Sequence, residues 1–171
     1  MLLDIVTYPD PRLKRIAVPV EEISPEVREL AKNMAETMYN ARGVGLAAPQ
    51  VGHSIRLIVT DVSGPEERKA LRVLVNPEIV LTGVKIRSEG EGCLSVPHNY
   101  RADVMRYSNI ILKCHDLDGN TFEEALEDYP AIVVQHEIDH LEGTLFIDHI
   151  SRLRRTLFDT KVKKWMKRDS Q

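Results

Sequence analysis

Two histidines and a glutamate sit within five residues in Gln135-His136-Glu137-Ile138-Asp139-His140-Leu141-Glu142-Gly143. In a helix, His136 and His140 stand one turn apart on the same face, so both imidazoles can reach one ion. Glu137 then lies beside the first ligand, placed to take a proton from a water held by that ion. A solvated amphipathic helix with two chance histidines is the plain alternative. The apolar setting of Ile132, Val133, Val134, Ile138 and Leu141 argues against it.

A catalytic ion needs a third protein ligand and one open position. The longer histidine pattern of some metallopeptidases would want a histidine three residues past Gly143, where Phe146 stands. Peptidases with a glutamate ligand place it downstream, and no glutamate follows Glu142. His149 and Asp148 remain as downstream candidates. Upstream, Cys93 lies in the glycine-flanked turn Glu91-Gly92-Cys93-Leu94-Ser95, where a thiolate could approach an ion. Cys114, inside the apolar run after Ile110-Ile111-Leu112, reads instead as a small buried hydrophobe.

The elements that must position these residues can be read around them. Ser24 is a good N-cap, Pro25 fits the first helical position, and Val27, Leu30, Ala31, Met34 and Met38 recur at helical spacing, with Gly43 placed to end the helix. Extended segments are expected at 56–61, at 73–80 around a Pro77 that implies an edge or a bulge, and at 109–115. Asp118-Gly119 is a hairpin signal joining the last of these to 121–126. A second helix is expected from about Pro130 to Gly143, carrying the histidines. A third, from about Ser151 to Lys167, has Leu153, Leu157, Phe158, Val162, Trp165 and Met166 as its stripe. The proline-punctuated stretch 6–20 reads as extended chain and turns. Strands clustered between helices indicate an α+β fold, with no βαβ alternation.

Composition sets the outer limits. The chain has 171 residues, 43% hydrophobic and 29% charged, with a formal net charge of -3. That is ordinary for a globular protein, and with no repeat or linker it predicts one domain over 1–171. Two cysteines do not make a disulfide framework. No signal-peptide pattern and no apolar run of about 18 residues occurs, so the expectation is a cytoplasmic protein without a membrane span.

Three stretches together carry a resemblance. Gly43-Val44-Gly45-Leu46-Ala47-Ala48-Pro49-Gln50, Glu91-Gly92-Cys93-Leu94-Ser95 and Gln135-His136-Glu137-Ile138-Asp139-His140 resemble the three signature motifs of the peptide deformylases, in the family's order. The likeness runs from Pro9-Asp10-Pro11-Arg12-Leu13 to the C-terminal helix. It implies mainly antiparallel sheets around a central helix bearing the metal motif, and a hydrolase that removes the formyl group from the N-terminal formylmethionine of new polypeptides. It makes Cys93, His136 and His140 the ligands of one divalent ion, ferrous iron in the cell, with zinc, nickel or cobalt able to occupy the same site. It gives Glu137 the proton transfer, and the Gln50 amide and the Leu94 N–H the stabilisation of charge on the formyl oxygen. Gly45 pairs with the substrate main chain as with an added strand, and Val44, Ile132, Val133 and His136 line the methionine pocket. Arg101 corresponds to an arginine that contacts the peptide further along. Tyr129 and Glu89 stand where the family commonly has aliphatic residues. Asp139 supports the metal site or its helix.

Two other readings are distinguishable. A zinc endopeptidase would use a downstream ligand such as His149 and leave Cys93 dispensable. A non-catalytic relative would usually have lost Glu137, which is present. Between 151 and 171, eight basic residues face two acids. A basic helix of this kind can meet ribosomal RNA phosphate, so the ribosome is an expected partner alongside formylated nascent peptides.

Overall fold

The computed structural model describes residues 1–171. After a single 3-10 turn at Pro11–Lys14, the elements run α1 (Pro25–Asn40), β1 (Gly45–Ala47), β2 (Leu57–Asp61) and a short α2 (Gly64–Glu67). There follow β3 (Leu71–Thr82), β4 (Lys85–Glu91), β5 (Ala102–Tyr107), β6 (Asn109–His115), β7 (Thr121–Glu127), α3 (Asp128–Leu141) and α4 (Arg152–Asp169). One antiparallel sheet has the order β1-β2-β3-β6-β7, and β4 and β5 form a second. This is the expected α+β arrangement, with α3 at its centre.

The Ser24 hydroxyl accepts the Val27 N–H and caps α1 as expected. Its end differs from expectation. Arg42, at φ 58, takes the left-handed position, and the Gly43 N–H donates to the Met38 carbonyl at 2.9 Å. Gly43 has a different reason to be glycine: an added Cβ would lie 2.7 Å from Leu94 Cδ1. The first motif can therefore touch the second only without a side chain here.

Pro77 sits within β3, which lies in the middle of the sheet between β2 and β6. The bulge was the correct half of the expectation. Register with β6 shifts between Val75 and Glu78, and Asn76 has φ 50, so the proline falls where the ladder is already interrupted. The hairpin between β6 and β7 turns at Gly119, φ 83, with Asp116 accepting the N–H groups of Asp118 and Asn120.

The core divides around α3. Ala131, Val134, Ile138 and Leu141 pack on Ile58, Leu74, Leu112 and Cys114 of the large sheet. Met34 and Met38 of α1 cover Leu46, Leu57 and Val59 on the sheet's other face. Phe158 and Val162 of α4 join Leu13, Val96, Val104 and Phe146. The expected α4 stripe is narrower than its sequence, because Leu153, Leu157 and Met166 remain exposed. No helix is long and apolar enough to cross a membrane.

Candidate metal centre and active site

α3 begins at Asp128, two residues before the expected Pro130, and ends at Leu141 with Gly143 beyond it at φ 69. From Ala131 onward it is largely buried, because it is gripped from several sides. Gln135 docks it to the end of β5 like a strand partner: Oε1 accepts the Tyr107 N–H and Nε2 donates to the Tyr107 carbonyl, both at 2.8 Å. The motif glutamine is thus structural.

His136 and His140 project from one face, as the spacing requires. Cys93 reaches them from the turn after β4, with Sγ 3.3 Å from His140 Nε2. The donor atoms of Cys93, His136 and His140 all lie within 4.8 Å of one another. The downstream candidates are elsewhere: His149 Nε2 is 2.9 Å from Asp139, and Asp148 accepts from Leu145 and Arg155. Cys114 is buried in the sheet core, and burial pushes its thiol up to about 11.

A charged chain that the sequence did not predict lies behind the first histidine. His136 Nδ1 is 2.7 Å from Glu91 Oε1, which also receives Arg106 Nη2 at 2.5 Å. Arg106 reaches on to Asp139 at 2.6 Å, and His149 closes the chain at the surface. Burial raises the Glu91 carboxyl, but hydrogen bonds from His136 and Arg106 bring it down to about 2. Burial lowers the His136 imidazole, but hydrogen bonds with Cys93 and Glu91 raise it well above the ordinary histidine value. Nδ1 carries a proton toward Glu91, and an ion binding at Nε2 would displace the proton there. His140 is held well below the ordinary histidine value by burial and is neutral, as a ligand must be.

Glu137 is buried beside these groups, and its Oε2 has no hydrogen-bond partner. Burial, aided by Glu91 and Asp139, lifts it to about 7. A buried carboxylate oxygen without a partner is costly unless something at the site supplies a proton donor. Gly45 makes room for it: a Cβ there would lie 2.5 Å from Glu137 Oε1. The first motif is glycine at this point because the Glu137 carboxylate occupies the space.

The rest of the first motif forms β1 and a 3-10 turn at Ala48–Val51. β1 is the edge of the large sheet, paired with β2 and with no strand on its other side. The turn brings Gln50 to the cysteine, its Nε2 lying 3.5 Å from Cys93 Sγ and 3.1 Å from Ser95 Oγ. Leu94 N–H finds no acceptor among the backbone bonds. Arg101 is exposed and lies over Gly92, with its guanidinium 3.3 Å from the Gly90 carbonyl. Val133 is buried, Val44 and Ile132 are half-buried, and Glu89 and Tyr129 are exposed.

A cysteine sulfur and two imidazoles converging on one point fit a borderline or soft transition metal, and do not fit magnesium or calcium. With a buried carboxylate alongside, fold and site define a metal-dependent hydrolase. The chain belongs to the polypeptide deformylase family, whose model matches residues 2–156. A peptide deformylase of Psychrobacter arcticus is 45% identical, over 97% of this chain and 89% of the relative. The crystal structure of a peptide deformylase from Legionella pneumophila superposes with a TM-score of 0.91 at 42% identity, covering 100% of this chain and 99% of that one. A Met-Ala-Ser-bound peptide deformylase from Acinetobacter baumannii gives 0.80 at 37% identity, covering 88% and 99%. The protein is thus a hydrolase that removes the N-formyl group from nascent polypeptides and releases formate.

Proposed function

We propose that Cys93, His136 and His140 hold one divalent ion and that Glu137 is the proton carrier of deformylation. The observation that carries this is the triad of donors within 4.8 Å, flanked by a buried carboxylate oxygen that has no partner. Bound there, the ion would act as a Lewis acid and lower the pKa of water toward neutrality. Glu137 takes the proton from the attacking water, whose oxygen bonds to the formyl carbon. Charge then gathers on the formyl oxygen, where the Gln50 amide and the uncommitted Leu94 N–H donate. The C–N bond breaks, Glu137 returns the proton to the leaving amine, and formate departs.

The free edge of β1 takes the peptide as an added strand, with Gly45 in main-chain contact. Val44, Ile132 and Val133 receive the methionine side chain, and Arg101 meets the peptide beyond it. That the Acinetobacter relative binds Met-Ala-Ser supports a peptide beginning with methionine as the ligand. The test is formate release from formyl-Met-Ala-Ser, together with metal analysis. Cys93→Ala should purify without stoichiometric metal and without activity, whereas normal metal content and turnover in that variant overturn the ligand set. Gln50→Leu should lower kcat by about 10²–10³ with little change in KM.

The resident ion is ferrous iron in this reading, with zinc, nickel or cobalt as working substitutes. Activity of the iron form should then decay in peroxide faster than that of the nickel form. The enzyme works as one domain in the cytoplasm, at the ribosome. Lys161, Lys163, Lys164 and Lys167 are exposed on α4, whose ion pairs use Arg155 and Arg168 instead. Changing those four lysines to glutamate should weaken ribosome co-sedimentation at low salt without altering tripeptide turnover.

A further inference from the structure

A carboxamide helps an oxyanion only when its NH2 end faces the reacting centre, so something must set which end points there. Gln50 is 1% exposed, and its Oε1 accepts the Ala47 N–H at 2.9 Å. A backbone N–H can only donate, so this bond identifies the oxygen and turns the nitrogen toward Cys93. One anchored end still lets the amide pivot. The second anchor is Ser95, fully buried, whose hydroxyl accepts from Gln50 Nε2 at 3.1 Å.

Ser95 holds the two loops together with its other polar atoms as well. Its N–H points at Cys93 Sγ, 3.4 Å away, and its carbonyl accepts the Tyr8 N–H at 2.7 Å. Two residues earlier, the Val6 N–H donates to the Gln50 carbonyl at 2.7 Å. A strap of N-terminal chain thus joins the backbones of Gln50 and Ser95, and their side chains meet beside it.

We infer that Ser95 is a positioning residue for deformylation. Its hydroxyl takes one of the two amide hydrogens of Gln50 and so aims the other past the Cys93 sulfur, to where the formyl oxygen gains charge. This rests on the reading of Gln50 as an oxyanion donor. Removing the hydroxyl leaves Gln50 held only at Oε1, free to swing its NH2 away. The loss then falls on the transition state and not on substrate binding.

The experiment compares Ser95→Ala, Gln50→Leu and the double variant as zinc-loaded enzymes on formyl-Met-Ala-Ser. Ser95→Ala should lower kcat on the order of tenfold, with KM within about twofold and metal content unchanged. In the Gln50→Leu background the same change should cost less than about twofold, because the group it positions is gone. Losses that multiply, or a wild-type kcat in Ser95→Ala, overturn the inference while leaving the oxyanion reading intact. A wild-type kcat in Gln50→Leu removes that reading and the inference with it. A second readout does not depend on turnover: the Gln50 side-chain NH2 resonances should be well separated in the parent and collapse toward solvent-exposed values in Ser95→Ala. Identical resonances in both count against the inference.

Discussion

α3 and α4 are both helices that the sequence marks for attention, and they are used in opposite ways. Nine of the fourteen residues of α3 are buried, among them Gln135, His136, Glu137 and His140. Only Phe158 and Val162 of the eighteen in α4 are. In α3, hydrogen bonds hold Gln135, His136 and Asp139 in place, while Glu137 and His140 each keep one buried atom unpaired beside them. In α4 the contact is a short aromatic seam, in which Phe158 lies 5.4 Å from the Tyr8 ring and 4.6 Å from that of Tyr100. Burial of polar groups, and not helix amphipathicity, separates the helix to which the chemistry is assigned from the one that docks.

The sharpest way to break this contrast is Glu137→Ala. It should lower kcat by about 10²–10⁴ while metal stays bound, because the role assigned is proton transfer. A variant that purifies metal-free would turn Glu137 into part of the metal-binding framework. Arg106→Leu comes next. It takes the shared cation from two partly buried carboxylates, leaving Glu91 only His136 and Asp139 only His149, so unfolding free energy should drop by about 3 kcal/mol in denaturant melts. A loss under about 1 kcal/mol would show that water solvates the network. On α4, Phe158→Ala should cost about 3 kcal/mol, with kcat on a tripeptide retained. Leu157→Ser should stay within about 0.5 kcal/mol of the parent, since that side chain is exposed. A large destabilisation by this last change would mean that α4 buries its whole stripe in solution.

Much of this was legible in the residues. Helix period, caps and hairpin signals located α1, α3, α4 and most of the large sheet. The two histidines and Glu137 followed from spacing within one helix. What stayed hidden was long-range. Cys93 could be singled out among possible third ligands only by resemblance, because nothing local in a turn reveals which helix it faces. Arg106 lies on a strand, β5, whose pattern raised no signal, and its importance comes from two carboxylates at positions 91 and 139. β4 and β5 were missed for a related reason. Ser88-Glu89-Gly90-Glu91 is polar throughout, and only pairing with Ala102–Tyr107 makes it a strand. Gly43 and Gly45 could be marked as turn or contact residues, but not as clearance for Leu94 and Glu137. That cause appears only once the chain is folded.

The strap of Val6 to Tyr8 bears on when the enzyme becomes active during its own synthesis. These residues leave the ribosome well before their partners at Gln50 and Ser95, and the Tyr8 hydroxyl donates to Asp159 at 2.8 Å. The proposed metal ligands come from positions 93 to 140, and α4 packs on Tyr8 through Phe158. A nascent chain stopped before residue 136 has neither histidine ligand, and one stopped before 159 leaves Tyr8 without its partner. Such a chain should therefore stay inactive until these later residues have emerged, with the strap among the last segments to find its place.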